Sequence, residues 1–371
     1  MRLATFNVEN LFVRARALNL DTWTEGKKIL EEYVALSELI EQPAYTNEIK
    51  AKMIGLLAAL GIDKKNESRF VLLRENRGQL VKYSALTGTR IVARGREDWS
   101  GWIELRTELI GETATRNSAQ VIRDVNADVI SLIEVESRRA LRQLSEKLLP
   151  EVRGTAYDQT MLIDGNDDRD IDVGLLVRQP YRVGWMRSHS DDLDARGRRV
   201  FSRDCPEYAI WTPDGSVIWL LVNHFKSKGF GTQEASNMRR AAQAETVRSI
   251  YQRLRSEGAA MIAVLGDLND VPESEALAPL LAQGDLKDIS THTKFQSDGR
   301  PGTFSSGGAR DKIDYILLSS ELYERMSAGG IWRKGVWGGA KHPSWEVYPE
   351  MTSPHHAASD HAALWCDLDV A

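Results

Sequence analysis

Six apolar stretches of this chain each meet an Asn, Asp, Glu or His at one end. LATF runs into Asn7, DVISLI into Glu134, VIWLLV into Asn223 and His224, and MIAVLG into Asp267, with Asn269 two residues on. Asp314 opens DYILL, and Asp360 and His361 precede AALWC. Short, nearly continuous apolar runs read as strands buried on both faces. A carboxylate or imidazole beside such a strand is costly unless it is paired or ligated. A single one reads as a satisfied core group. Six of them require a fold that brings strand ends to one edge, where open sheets place their chemistry.

The rest of the chain supplies the layers. Residues 2–8 read as a first strand. Residues 14–113 differ in texture: DTWTEGKKILEEYVALSELIEQ and TNEIKAKMIGLLAAL have helical spacing, with Asp21 and Thr46 as N-caps, and 70–94 reads as strands with turns. From 117 helices (118–125, 138–148, 234–257) alternate with strands (128–134, 157–164, 171–178, 182–188, 217–225, 261–269, 312–319, 361–368). This pattern predicts sheets packed face to face inside helical layers. It is read as one catalytic domain over 1–371, with 14–113 inserted after the first strand.

Bulk properties narrow the function. The formal net charge of −5 gives no global field for polyanions, so such binding needs local cations or metal. Cys205 and Cys366 lie far apart and lack zinc-ligand spacing. No run suits a bilayer span or a signal-peptide core, so the expected setting is cytoplasmic, without a membrane. There is no GxSxG, Walker A loop or HExxH, and Ser359, Asp360 and His361 are contiguous, which is not triad geometry.

The residue types fit one chemistry. Glu134 and Asp360 are hard oxygen ligands suited to Mg²⁺ or Mn²⁺. A carboxylate such as Asp314 can orient an imidazole such as His361 and stabilise its cation. Asp267 and Asn269 share a strand face, suited to hold an attacking water and a phosphate oxygen. His224 can donate to the phosphate. Asp360 and His361 reach one site only if the backbone bends there, because strand neighbours point to opposite faces.

TFNVENLF, ADVISLIEVE, NHFKSKG, VLGDLNDVP, KIDYIL and SDH stand in the order seen in the endonuclease/exonuclease/phosphatase superfamily, which the chain resembles over roughly 1–13 and 117–370. The resemblance implies an α+β, four-layer α/β/β/α sandwich, here carrying a large, mostly helical insertion after the first strand. It implies hydrolysis by an activated water without a covalent intermediate. By this resemblance Asn7 and Glu134 look like the metal and phosphate pair, with Asp360 a further metal-linked carboxylate. His361 with Asp314 resembles the His–Asp pair, Asp267 with Asn269 the GDxN pair, and His224 the phosphate-contacting histidine. Ile133 stands where the family often has Gln. The expected activity is a Mg²⁺- or Mn²⁺-dependent phosphodiester hydrolase, a nuclease acting on DNA or RNA. The alternatives are a phosphatase or diesterase of small or lipid phosphoesters, and an inactive phosphate-binding module.

Other features have two readings. Glu9 and Glu136 are read as solvated neighbours of the key groups. In NDDRDID, Arg169 and Asp172 line the cleft or belong to a polar loop. Asn223, Lys226 and Lys228 either meet substrate or flank the strand. Residues 64–96 hold nine Lys/Arg against two Glu, suiting either a phosphate backbone or a solvated face. Trp332, Trp337 and Trp345 stack bases or pin a long loop.

Overall fold

The computed structural model describes residues 1–20, 23–167, 169–228, 232–282 and 284–370; Asp21, expected as a helix cap, lies outside them. Contacts divide the chain into two compact units, Val13–Leu109 and the remainder on either side of it. The Val13–Leu109 unit has helices Trp23–Ile40 and Asn47–Ala59, three two-stranded ladders, and its own core around Tyr33, Leu36, Met53, Leu57 and Trp99. Thr46 caps the second helix through the backbone N–H of Ile49. Two of its expected phosphate-gripping cations are already paired: Arg74 with Glu104 at 3.1 Å and Arg94 with Asp98 at 3.2 Å.

The larger unit is built on two sheets. Its principal strands are β1 (Arg2–Asn7), β2 (Val129–Val135), β3 (Asp172–Val177), β4 (Arg182–Arg187), β5 (Glu207–Trp211), β6 (Val217–His224), β7 (Ile262–Asp267), β8 (Asp314–Ser319) and β9 (Ala363–Leu368). The seven-stranded sheet runs Phe295–Gln296, Met326–Trp332, β9, β1, β2, β3, Gln159–Leu162. The six-stranded sheet runs β4, β5, β6, β7, β8, Leu286–Asp288.

Alternation along the strands makes four layers. Leu3, Val129 and Ile133 of one sheet pack on Val222, Ala263, Leu265 and Ile316 of the other. Ala4, Phe6, Ile130 and Leu132 face the opposite way, onto Val121, Ile122 and Val125 of helix Glu112–Val125. Leu221, Val264 and Leu317 pack on Ala244, Val247 and Leu254 of helix Gln233–Ser256. The fold is the α+β, α/β/β/α sandwich expected.

Each sheet has a parallel pair at its centre. In β1 and β2, Asn7 lies opposite Ile133; in β6 and β7, His224 lies opposite Asp267. Antiparallel β8 begins where β7 ends, which sets Asp314 opposite Asp267. Register alone therefore gathers three of the six polar strand ends in one sheet, those of β6, β7 and β8, and sets those of β1 and β2 side by side in the second sheet.

Several strands are shorter than expected, and two of them are cut short at the site. The 261–269 run leaves strand geometry at Asp267, because Gly266 and Asn269 take φ of 126° and 54°. The 361–368 run starts at Ala363, because Asp360 and His361 bend away to the 303–305 backbone. There Ser305 N–H donates to Asp360 O at 2.9 Å and Ala362 N–H to Thr303 O at 2.7 Å.

Gly266 is required by both space and conformation. A Cβ there would lie 2.0 Å from the Asn223 carbonyl oxygen of β6, and its φ disfavours any side chain. Leu265→Ala, beside it in the inter-sheet core, should cost about 2–5 kcal/mol. Gly266→Ala should be more damaging, since it parts the central parallel pair. Urea midpoints decide this: a Gly266→Ala midpoint at or above that of Leu265→Ala contradicts the close approach.

Candidate active site

The acidic end of the sandwich is assembled by strained backbone. Opposite β2, Asp172 pairs with Val135 and Val173 with Ile133, so Glu134 is the extra residue of a β-bulge. Its φ of 65° is a left-handed conformation rare outside glycine. The bulge re-aims its carboxylate out of the strand alternation. Asn7 Nδ2 then donates to Glu134 Oε1 and to Asp267 Oδ2, both at 3.3 Å. His224 Nε2 lies 3.5 Å from the same Glu134 oxygen and 3.7 Å from Asp267 Oδ2.

Asn269 locks Asp267. Its N–H donates to Oδ1 at 2.8 Å and its Nδ2 to Oδ2 at 3.0 Å, while Nδ2 also reaches Phe225 O at 3.2 Å. The left-handed φ of Asn269 turns both donors back on the carboxylate. Asp314 Oδ2 accepts from His361 Nδ1 at 2.8 Å and from the Thr303 hydroxyl at 2.6 Å. That hydroxyl accepts the Asp314 N–H at 3.1 Å in turn. The Phe304 ring leans on the His361 imidazole with centroids 4.9 Å apart. Asp360 Oδ1 lies 3.7 Å from His361 Nε2, on a side chain 46% exposed. The bend expected at Asp360–His361 is therefore present.

Electrostatics separate the roles of these groups. Burial, then the neighbouring Asp314, pushes Asp267 up to about 8. Burial lowers His224 well below its ordinary value, helped by Arg203, so it is neutral. Among the described residues its Nδ1 has no hydrogen-bond partner, which favours a proton on Nε2, facing the carboxylates. Burial alone would also lower His361, but Asp314 outweighs it and holds the imidazole well above its ordinary range. One histidine is thus a neutral donor and the other a cation. Asp267, Asp314 and His361 each offer a ligand atom within 4.8 Å of the others. The short His361–Asp314 bond already occupies Nδ1, so this group is a dyad beside an acid rather than a metal cage.

A basic wall adjoins the acids. The fully buried Arg203 sets Nε 3.1 Å from Asp167 Oδ2 and donates Nη1 to Phe225 O at 3.3 Å, the same carbonyl that Asn269 contacts. Arg169 grips Asp167 at 2.7 and 2.6 Å. Burial opposes the Asp167 charge, but the two arginines outweigh it and hold the carboxyl well below its ordinary range. Burial, then Arg203 and Arg169, brings Lys226 down to about 8. Lys228 is tied to Asp270 at 2.7 Å.

Several expectations change. Asn223 is not brought to the cluster: it points to the opposite face of β6 from His224, fully buried, and donates to Leu221 O at 2.9 Å. Glu136 and Glu9 are not merely solvated. Glu136 accepts the Leu11 and Phe12 N–H groups at 2.9 and 2.8 Å, and Glu9 accepts the Asp360 N–H at 3.3 Å. The tryptophans pin their loop: Trp345 donates to Arg333 O and Val336 O at 2.9 and 2.8 Å, and Trp332 to the Tyr348 hydroxyl at 3.2 Å. Thr303, Phe304 and Arg203 escaped sequence reading, because none ends an apolar run.

This is a sandwich of two sheets whose joined edges carry an acid cluster, a charged His–Asp pair and a basic wall, the equipment of a phosphoester-handling protein. Residues 95–328 match the Endonuclease/Exonuclease/phosphatase family, and the chain belongs to that family, whose members hydrolyse phosphoester bonds. No curated protein matches the chain. An endonuclease/exonuclease/phosphatase family protein from Bacteroides thetaiotaomicron superposes with a TM-score of 0.51 at 15% identity, covering 68% of this chain and 86% of that one. A mannosyl-6-phosphatase from Bacteroides thetaiotaomicron VPI-5482 gives 0.50 at 15% identity, covering 70% and 92%. These likenesses are of fold.

Asp172, buried beside the Glu134 bulge, accepts the Gly165 N–H at 2.8 Å. Burial, with Asp164 close by, raises it from 3.8 to about 7. Below 3.8 the folded and unfolded chains both hold this proton, and there is no penalty. Between 3.8 and about 7 only the folded chain holds it, so its contribution to stability falls as pH rises and levels off above. Asp172→Asn keeps the oxygen acceptor and removes the charge. In EDTA it should raise the melting temperature at pH 8 and leave it unchanged near pH 3. Equal shifts at both pH values contradict the assignment.

Proposed function

We propose that the chain is a Mg²⁺- or Mn²⁺-dependent phosphodiester hydrolase acting on nucleic acid, working as one catalytic domain with 14–113 inserted in it. The observation that carries this is the meeting of Glu134, Asn7, His224 and Asp267 beside the Asp314–His361 pair. The donor set fits a hard cation. Glu134 and Asp267 converge on one amide, and the burial and neighbouring carboxylates that push Asp267 up to about 8 are what a cation there would offset. Glu134, with Asn7 and Asp360 completing the oxygen set, would hold it. When bound, it supplies charge neutralisation at the phosphate and the leaving oxygen.

The chain's own groups account for the rest. Asp267, with both oxygens fixed by Asn269, orients the attacking water and takes its proton. His224 donates a hydrogen bond from Nε2 to a phosphate oxygen. His361, kept charged by Asp314, faces the same phosphate and counters the charge built up during attack. Arg169, Lys226 and Lys228 line the approach and favour an anionic substrate, with Asp172 at the start of β3 beside the Glu134 bulge. Every group proposed here to handle phosphate acts on the phosphodiester itself, so small phosphoesters belong in the test.

His361→Ala and Asp267→Ala should each lower turnover by roughly 10²–10⁴-fold, and EDTA should abolish it. The assay is a Mg²⁺- and Mn²⁺-supplemented panel of single- and double-stranded DNA, RNA, abasic DNA, bis-p-nitrophenyl phosphate and phosphomonoesters. Near-normal turnover in either variant rejects the assignment. Hydrolysis confined to monoesters or the chromogenic diester rejects nucleic acid as substrate.

A further inference from the structure

The six-stranded sheet ends in the edge strand β4, whose outward side chains are exposed. Val183 and Met186 turn inward onto the inter-sheet core, which leaves Arg182, Trp185 and Arg187 facing out. Register carries this face across the sheet: Trp185 lies opposite Ala209 and then Trp219, and Arg182 opposite Trp211. Helix Gln233–Ser256 packs on Leu221, Val264 and Leu317 and reaches as far as Trp219 and, through Arg253, Glu207, which leaves Trp185 42% exposed. The ladder slips between Val183 and Trp185, and a Cβ on the intervening Gly184 would lie 1.9 Å from Trp211 Nε1. The glycine therefore lets the Trp211 indole lie across the edge strand.

The rings are organised with cations. Trp185 and Trp219 meet edge to face at 4.9 Å. The Arg182 guanidinium sits over Trp211 at 5.6 Å and Arg187 over Trp185 at 5.5 Å. The nearby acids are already engaged. Glu207, opposite Arg187, is fully buried between Arg253 and His189, and Asp214 bonds Thr212 and Ser216. A chain of net charge −5 thus presents a local face of indoles and guanidinium groups.

We propose that this face binds single-stranded nucleic acid, with bases stacked on Trp185 and Trp211 and phosphates held by Arg182 and Arg187. Cations beside flat rings are the chemistry by which single strands are held without regard to sequence. An apolar partner would bury the Arg182 guanidinium without a counter-charge and leave Arg187 only the Glu207 carboxylate already shared with Arg253 and His189, an unfavourable contact. Trp219 stands five residues before His224 on β6, about 17 Å along the strand. A strand held here is separate from the acidic site yet within its reach. The purpose of the surface rests on the nucleic-acid reading of the active site; its binding chemistry does not.

The test is fluorescence anisotropy of a labelled oligothymidylate with the full chain in EDTA, across a salt series. Trp185→Ala should weaken binding roughly 5- to 100-fold, and Trp185→Phe, which keeps a ring, should recover most of it. Arg182→Gln with Arg187→Gln should flatten the dependence of log K on log salt by about 0.7 per lost phosphate contact. Hydrolysis of bis-p-nitrophenyl phosphate should be unchanged in all of them. Wild-type affinity in Trp185→Ala, an unaltered salt slope in the arginine pair, or equal losses in Trp185→Ala and Trp185→Phe overturns the proposal. Tight binding by a chain that cuts no polynucleotide supports this surface while rejecting the active-site reading. Cutting with unaltered binding in the variants rejects the surface alone.

Discussion

Three carboxylates, on Glu134, Asp267 and Asp314, crowd the joined edges of two sheets, and much of the catalytic unit answers their mutual repulsion. The Asn7 amide spans Glu134 and Asp267 at 3.3 Å each, Asn269 fixes both oxygens of Asp267, and Thr303 with His361 holds Asp314. Each bond keeps a charge in place that would otherwise move toward solvent or take up a proton. Asp267, the most enclosed, is the one driven up to about 8. The compensation is incomplete, and that residual excess of negative charge is what the proposed cation would offset.

Strain is concentrated where this cluster is built. Glu134 and Asn269 take left-handed backbone, and Gly266 takes a φ open in practice only to glycine. Regular strands would send Glu134 and Asn7 to opposite faces and would hold Asn269 extended, two residues along from Asp267 and out of reach of its carboxylate. The bulge at Glu134 breaks that alternation, and the turn after Gly266 folds Asn269 back onto Asp267. The inter-sheet packing of Leu3, Val129, Leu265 and Ile316 over-determines the rest of each strand and makes the local strain tolerable.

Most of the sandwich was legible because its strands are buried on both faces. DVISLI, VIWLLV and MIAVLG leave no other element of that length, and the polar residue ending each run marked the edge to which register would bring it. Asn223 misled because it ends an apolar run as His224 does. Only the facing of β6 separates them, and two adjacent polar residues leave that facing undecided. Thr303, Phe304 and Arg203 lie in irregular segments with no periodicity, so their approach to His361 and His224 follows from tertiary folding alone. Glu136 was read as solvated because a capping carboxylate and a surface carboxylate look alike in sequence. The expected boundary at 113 and the compact unit ending at Leu109 differ because the backbone rejoins the larger unit at Ile110, whose N–H donates to Phe12 O at 2.9 Å.

The two walls of the site make opposite demands. Acids on β2, β7 and β8 call for positive charge; Arg203, Arg169 and Lys226 call for negative charge, and Asp167 balances only part of it. Direct pairing would cancel both and leave an inert salt-bridge network. The sandwich keeps them apart by burying Arg203 on Phe225 O and Asp167, so its guanidinium does not pair with Glu134 or Asp267. A ligand that satisfies both walls must carry a cation on one side and an anion on the other, as a metal-bound phosphodiester does. On the proposed reading, the unspent charge on each wall would be binding energy held for the reacting group, with His361 charged and His224 neutral beside it.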